Sequence, residues 1–502
     1  MSPSHGTVLS ARLISAEREI YGEEFDRAVN SVVDALLGAG LRSGDRISWV
    51  LRNRYEIPLI GLAAQRIGAT VVPIGWRNTP RETGRMLAAV EPSVVVMEER
   101  TEPVLREALA SGPRELDPLL MDAGSLLSGC GECHAATEPA AHADVDARTA
   151  RPDRLGGGAS IVFTSGSTGV PRAVVRTGGH RELAGRIGDA MGIGADTRYL
   201  VAGPLYHSGP WTCALMVLSR GGTLVLNSLF RPEGWLATAV EHEVSAGFLT
   251  PTQLRRIVEC AERAAPVPRS LTHVVVSGER FPTSLKRRAV AALGDCLIDC
   301  YGSSETGPVS CTAPGELLTR PESAGHLFPG IEMAAFDGDR QLPPGSHGVL
   351  RVRTPLAFDG YAGPDGVQRA AKDDWVTVRD IGTVDRDGWV SVTDRADDLI
   401  ISGGVNISPA EVEAVVEGCP GVRQCMVLGL PDPEWGEAVS AVLVADRKIS
   451  VQELRNWLLG RIADDKRPRN VFCLDAIPMT GTEKSSRQAV RNLLTARNTT
   501  EA

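Results

Sequence analysis

Cysteine is sparse in this chain, ten in 502 residues, which excludes a disulfide framework and leaves reduced thiols as the expectation. An apolar run able to cross a bilayer is missing as well. The best stretch, Ile57 to Trp76, is broken by Gln65 and Arg66. The first residues carry Arg12, Glu17, Arg18 and Glu19 and no apolar signal-peptide core, so a cytoplasmic location is expected. There is no basic excess: 53 Lys and Arg against 62 Asp and Glu give a net charge of −9, which argues against a nucleic-acid or anionic-membrane binder. What remains is an ordinary globular composition, 43% hydrophobic and 23% charged, in a chain too long for one core, so two or three domains are expected.

Periodicity organises the first half. Phe25, Val29, Val32, Val33, Leu36 and Leu37 share one helical face, ending at Gly38 and Gly40. Short apolar strands at Ile47 to Leu51, Thr70 to Pro73 and Val94 to Met97 alternate with helices at Glu56 to Ile67 and after Thr79, where Thr79, Pro80 and Glu82 spell a capping box. Strands without polar alternation predict parallel sheets covered on both faces. More strands are expected at 222–226, 246–249 and 272–276. From Gly348 the texture becomes β-rich, with Asp387-Gly388 as a hairpin turn. Ser408, Pro409 and Glu411 suggest a second capping box, in a last hundred residues that read as a small α+β unit. The segment 128–158 shows no periodicity and reads as a linker. Cys130-Gly131-Glu132-Cys133-His134 within it matches a haem-attachment spacing, but no second cysteine pair or apolar pocket accompanies it, and it reads as a chance occurrence.

Thr164-Ser165-Gly166-Ser167-Thr168-Gly169 follows the apolar run Ile161, Val162, Phe163. Glycines let the backbone approach an anion, and consecutive N–H groups and hydroxyls can then surround phosphate oxygens. No lysine follows, so this is not a Walker A loop; alone, it could equally be a solvated turn. Downstream, Cys300-Tyr301-Gly302-Ser303-Ser304-Glu305-Thr306-Gly307 joins an aromatic ring able to stack on a purine to a carboxylate able to hold Mg²⁺ against phosphates. Asp380, then Asp394-Arg395-Ala396-Asp397-Asp398, then Ser402-Gly403-Gly404-Val405-Asn406-Ile407-Ser408-Pro409 follow, and Pro478-Met479-Thr480-Gly481-Thr482-Glu483-Lys484 comes near the end.

In these motifs, and in Gly44-Asp45-Arg46 and Gly68 to Pro73, the chain resembles the adenylate-forming superfamily of acyl-CoA synthetases, adenylation domains and luciferases, from about Tyr21 to Arg487. The segments 402–409 and 429–436 resemble acyl-CoA synthetases more than peptide-synthetase adenylation domains. The resemblance implies an α/β protein: a large N-terminal domain, 1–396, of parallel αβ subdomains plus a β-rich subdomain, and a small mobile α+β C-terminal domain, 397–502. It implies an acid–thiol ligase using ATP, Mg²⁺ and coenzyme A. A carboxylic acid attacks the α-phosphate to give acyl-AMP, and a thiol then displaces AMP. The alternatives are a carrier-protein phosphopantetheine or a nitrogen nucleophile as acceptor, or a catalytically weak nucleotide-binding protein. No nucleic-acid partner and no membrane span are implied.

Carried over by motif, Thr164, Ser165, Gly166, Ser167, Thr168 and Gly169 would grip the β- and γ-phosphates. Gly278, Glu279, Tyr301 and Gly302 would surround adenine, Ser304 would touch the α-phosphate, and Glu305 would ligate the metal. Asp380, with Arg395 close by, would bind ribose, and Lys484 would bridge carboxylate and α-phosphate. Asp397 would be the hinge and His207 the gate to the acyl site. Trp211, Val276 and Val309 are acyl-pocket candidates; Gly403, Gly404, Lys466, Arg467 and Arg469 are candidates for coenzyme A. The chain departs from the family pattern at Arg172-Ala173 (usually Lys-Gly), at Val378-Arg379 before Asp380 (usually Thr-Gly), at Asp394 and Glu483 (usually glycine), and at Arg280 (usually small), for which pairing with Glu279 is the expectation.

Overall fold

The computed structural model describes residues 11–113, 115–130, 159–164, 172–178, 180–263, 265–363, 366–369, 374–479 and 485–500. Two large sheets carry the N-terminal part. One has nine strands with a parallel centre, in which Leu297–Ser303, His273–Val276, Ala246–Leu249, Arg198–Val201, Thr223–Leu226 and Arg12–Ile14 lie side by side. The other has eight, with Ser160–Thr164, Thr70–Ile74, Arg46–Val50, Val94–Met97 and Leu119–Asp122 parallel. The expected alternation with helices is present, and the central strands, such as Val94–Met97, are buried along their length. Between the sheets, helices Glu56–Ile67 and Ser208–Ser219 meet closely: a Cβ on Gly61 would lie 2.2 Å from Cη2 of Trp211. Only glycine fits there, and the Trp211 ring then packs on Trp49 with centroids 5.1 Å apart.

The sheets are not parallel to their edges, as the sequence pattern alone suggests. Ser160–Thr164 turns back into Arg172–Arg176, pairing Thr164 with Arg172. Strand Gly360–Gly363 then adds antiparallel to Arg172–Arg176. In the other sheet, Leu297–Ser303 turns back into Gly307–Cys311. A Cβ on Gly302 would lie 2.3 Å from the Gly307 carbonyl oxygen, so the tightness of this hairpin also requires glycine. The β-rich unit begins at Glu332, ahead of Gly348, as a five-stranded antiparallel sheet ending in Val390–Arg395. Asp387-Gly388 makes its expected turn, with Gly388 at φ 83°.

The C-terminal part is α+β, with Val422–Asp432 and Gly436–Ala445 as its long antiparallel pair and helices Pro409–Val416, Val451–Leu458 and Arg487–Thr500 around it. The Thr79 capping box forms with both of its hydrogen bonds. The Ser408 box forms only by half. Ser408 Oγ accepts from the Glu411 N–H, but the Glu411 carboxylate accepts from Lys466 Nζ at 2.7 and 2.8 Å. A cation outcompetes a backbone N–H for a carboxylate. Residues 123–130 form a 3₁₀ segment; the rest of the expected linker, with Cys133 and His134, lies outside the described residues. No described helix is long and apolar enough to cross a membrane.

One buried ion pair locks a helix under the first sheet. Lys286 Nζ lies 2.7 Å from Asp299 Oδ2 and donates to the Ser323 carbonyl at 2.9 Å. Burial raises the Asp299 carboxyl above the ordinary range, with Lys286 opposing it. Removing one member leaves an uncompensated buried charge. Lys286→Ala is expected to cost about 3–5 kcal/mol in urea unfolding, and the double replacement Lys286→Met, Asp299→Leu is expected to cost less than the single one.

Candidate active site

Arg176, on the strand Arg172–Arg176, donates to the Ser304 carbonyl at the turn between Leu297–Ser303 and Gly307–Cys311, and the site is built around that turn. Tyr301, near the end of the strand Leu297–Ser303, donates its hydroxyl to Asp380 Oδ2 at 2.6 Å. Asp380 sits in the strand Val376–Val384, opposite Arg395, whose Nε is 3.3 Å from Asp380 Oδ1. Burial raises the Asp380 carboxyl above its ordinary range, opposed by Tyr301 and Arg395, and raises the Tyr301 phenol further. Ser304 Oγ lies 3.1 Å from Ser208 Oγ at the start of a helix. His207 precedes that serine, its ring 4.4 Å from the Tyr206 ring. Glu279 Oε2 accepts from Thr252 Oγ at 2.6 Å, and Gly278 before it has φ 91°. Tyr301, Ser304, Glu305, Asp380, Arg395 and His207 are therefore brought to one place. Ser165, Gly166, Ser167, Thr168, Gly169, Glu483 and Lys484 lie outside the described residues. Thr164, at the edge of the first gap, pairs with Arg172. Ser485, beyond the last, lies 3.4 Å from Thr252 through its hydroxyl.

Glu305 fits a metal carboxylate. Its Oε1 accepts from the Tyr361 hydroxyl at 3.1 Å, and Oε2 has no partner among the described residues. No cluster of three or more acidic, histidine or cysteine side chains that could cage a metal occurs among the described residues. A lone carboxylate suits Mg²⁺, which takes one or two carboxylates together with substrate phosphates.

The remaining predicted residues have these surroundings. Trp211 is 4% exposed and packs on Gly61 and Trp49 in the core between the sheets. Val276 and Val309 are fully buried. Arg280 pairs with Glu413 of the C-terminal part at 3.5 Å and not with Glu279, because Glu279 is turned toward Thr252. Lys466 is taken by Glu411, Arg467 by Asp464 at 3.0 Å, and Arg469 lies 3.9 Å over the Trp435 ring. Gly403 and Gly404 form a hairpin tip at φ 58° and 81°, with the Gly403 N–H on the Trp435 carbonyl.

The departures near Asp397 have a geometry. Arg379 holds φ 59°, a left-handed conformation that costs an L-residue about 1–2 kcal/mol and is free to glycine. Its Nη2 reaches Asp397 Oδ1 at 2.5 Å. Asp394, 8% exposed, accepts from the Ser408 hydroxyl and from the Ala410 N–H at 3.4 Å, placing an anion at a helix N-terminus. Ser284 donates to Glu417 at 2.8 Å. Sequence reasoning missed Tyr361, Arg176 and Ser208. The first two come from strands whose pairing no local pattern announces.

Because burial raises the Asp380 carboxyl, it takes up its proton at a higher pH in the folded chain than in the unfolded one. Its contribution to stability is fully present below the ordinary aspartate range and is lost as pH rises through the raised value. Asp380→Asn removes that titration. Relative to the parent, the variant is expected to gain stability between about pH 4 and pH 7, as read by urea unfolding at both pH values.

Known proteins carry the same architecture. The family model described as AMP-binding enzyme matches residues 10–362, and that of the AMP-binding enzyme C-terminal domain matches 411–484. A feruloyl-CoA synthase from Amycolatopsis sp is 33% identical over 93% of this chain and 92% of its own length. A fatty acid–[acyl-carrier-protein] ligase from Streptomyces coeruleorubidus is 30% identical over 95% and 92%. Among solved structures, the o-succinylbenzoate CoA synthetase of Bacillus subtilis, in complex with its acyl-adenylate intermediate, superposes with a TM-score of 0.79 at 26% identity, covering 95% of this chain and 94% of that one. With both family models matched in order along a fold of this kind, the chain belongs to the AMP-binding enzyme family, the adenylate-forming enzymes.

Proposed function

We propose that this chain activates a carboxylic acid with ATP as acyl-AMP and transfers the acyl group to the thiol of coenzyme A. The observation that carries the reading is the convergence of Tyr301, Ser304, Glu305, Asp380 and Arg395 from three separate strands and loops, in a family whose relatives include CoA ligases. The difficulty of the first step is that an anion must attack a polyanion, so preorganised donors and cations lower the barrier. Tyr301 and Gly278 flank adenine, Asp380 accepts from the ribose hydroxyls with Arg395 beside it, and Ser304 donates to the α-phosphate. Thr164 to Gly169 hold the outer phosphates. Glu305 would hold Mg²⁺, which supplies charge neutralisation on those phosphates. Lys484 aligns the acid, whose oxygen bonds to the α-phosphorus as pyrophosphate leaves. In the second step thiol sulfur bonds to the acyl carbon and AMP leaves. His207 stands between the two subsites.

Asp397 serves as the hinge between an N-terminal domain, 1–396, and a C-terminal domain, 397–502. Ser485 beside Thr252, Arg280 on Glu413 and Ser284 on Glu417 join the two domains across that boundary. Rotation would withdraw Lys484 from the α-phosphate, bring up the Gly403-Gly404 hairpin and free the Lys466 region to meet coenzyme A. The carrier-protein acceptor is the second reading, favoured by the acyl-carrier-protein ligase among the relatives.

ATP–pyrophosphate exchange across a panel of carboxylic acids tests adenylation, and absence of exchange with every acid would refute it. Thioester formation with free coenzyme A, measured beside a phosphopantetheinylated carrier protein, separates the two acceptors. Lys484→Ala is expected to abolish exchange while leaving thioester formation from synthetic acyl-AMP largely intact. Arg379→Gly frees Asp397 and is expected to slow exchange about twofold to fivefold, the scale of an exposed ion pair, without slowing the second half-reaction; stopped-flow rates of the two halves would show it.

A further inference from the structure

Glu305 is held by more than its own loop. Its carbonyl accepts from the Phe358 N–H at 2.8 Å, and its Oε1 accepts from the Tyr361 hydroxyl at 3.1 Å. Tyr361 lies in the strand Gly360–Gly363, opposite Val174 of Arg172–Arg176. Its ring meets the Phe358 ring edge-on at 4.9 Å, and the Arg172 guanidinium lies 5.5 Å from its centroid. A side chain with its backbone pinned and one oxygen engaged has its remaining oxygen aimed in one direction.

We propose that Tyr361 is a positioning residue for the metal carboxylate: its hydroxyl fixes Oε1 of Glu305 so that Oε2 faces the divalent cation carried by ATP, and Arg172 holds the phenol in place from the other side. This rests on the reading of Glu305 as the Mg²⁺ carboxylate. It also gives Arg172 a reason. A planar guanidinium covers an aromatic face, whereas the lysine usual at this position is a compact point charge on a flexible stem. Hydrogen bonds to a ligating carboxylate tune metal affinity without touching the metal, and their loss costs about 10-fold or more.

The test is calorimetric titration of ATP into the full chain at graded Mn²⁺ concentrations, with no acid present and no turnover needed. Tyr361→Phe keeps the ring, its contact with Phe358 and its face toward Arg172. It is expected to raise the Mn²⁺ concentration for half-maximal ATP binding by about tenfold. Arg172→Ala is expected to raise it less, with Arg172→Lys in between, and thioester formation from synthetic acyl-AMP, which consumes no ATP, is expected to stay at the parent rate in Tyr361→Phe. An unchanged Mn²⁺ requirement in Tyr361→Phe beside a raised one in Glu305→Gln would overturn the proposal, as would equal loss of both half-reactions. An unchanged requirement in Glu305→Gln would overturn the metal reading beneath it.

Discussion

The guanidinium of Arg176 ties the site together. Nε donates to the Ser304 carbonyl and Nη1 to the Leu356 carbonyl, both at 2.9 Å, so one side chain of the eight-stranded sheet holds the loop of the nine-stranded sheet and the segment leading to Tyr361. Nη2 is buried without a hydrogen-bond partner among the described residues. Burial lowers the Arg176 pKa to about 10, with Glu305 and Asp359 opposing the shift. A charge in so dry a place is costly unless it is hydrogen-bonded. Here it is spent on two backbone carbonyls, which sets where the Ser304 hydroxyl and the Glu305 carboxylate stand relative to the Thr164–Arg172 hairpin.

The same logic runs through the contacts of the C-terminal part. Arg379, Asp394 and Arg280 each replace a small or flexible residue of the family pattern, and they reach Asp397, Ser408 and Glu413. Arg487 completes the C-terminal side, bonding Asp398 at 3.0 Å, Glu413 at 2.6 Å and the Val427 carbonyl. Departures that look unrelated along the chain thus have their partners in one short segment, 397–413.

Much of the scaffold was legible because it is local. The helix at Glu56–Ile67, the strand at Val94–Met97 and the Thr79 capping box follow from periodicity and cap chemistry, which act within a few residues. The Ser408 box was only half right because Lys466, distant in sequence, competes for Glu411. Trp211 reads as a pocket residue in one dimension, yet Gly61 from another helix receives it. The acyl pocket was the least legible part, since buried Val and Trp side chains carry no mark of what they face.

By itself, the sequence determined the α/β class and the order of the motifs, because glycine-rich turns, caps and apolar periods are short-range properties; Tyr301, Glu305 and Asp380 were singled out by resemblance to the family. Tertiary structure alone decided that strand Gly360–Gly363 leaves the β-rich unit to pair beside Arg172–Arg176, and so which side chains surround Glu305. Strand pairing is chosen by long-range hydrogen bonding and burial. Arg172 meets Tyr361 once those strands pair, and Tyr361 and Arg176 reach Glu305 and Ser304 only once the two sheets have met.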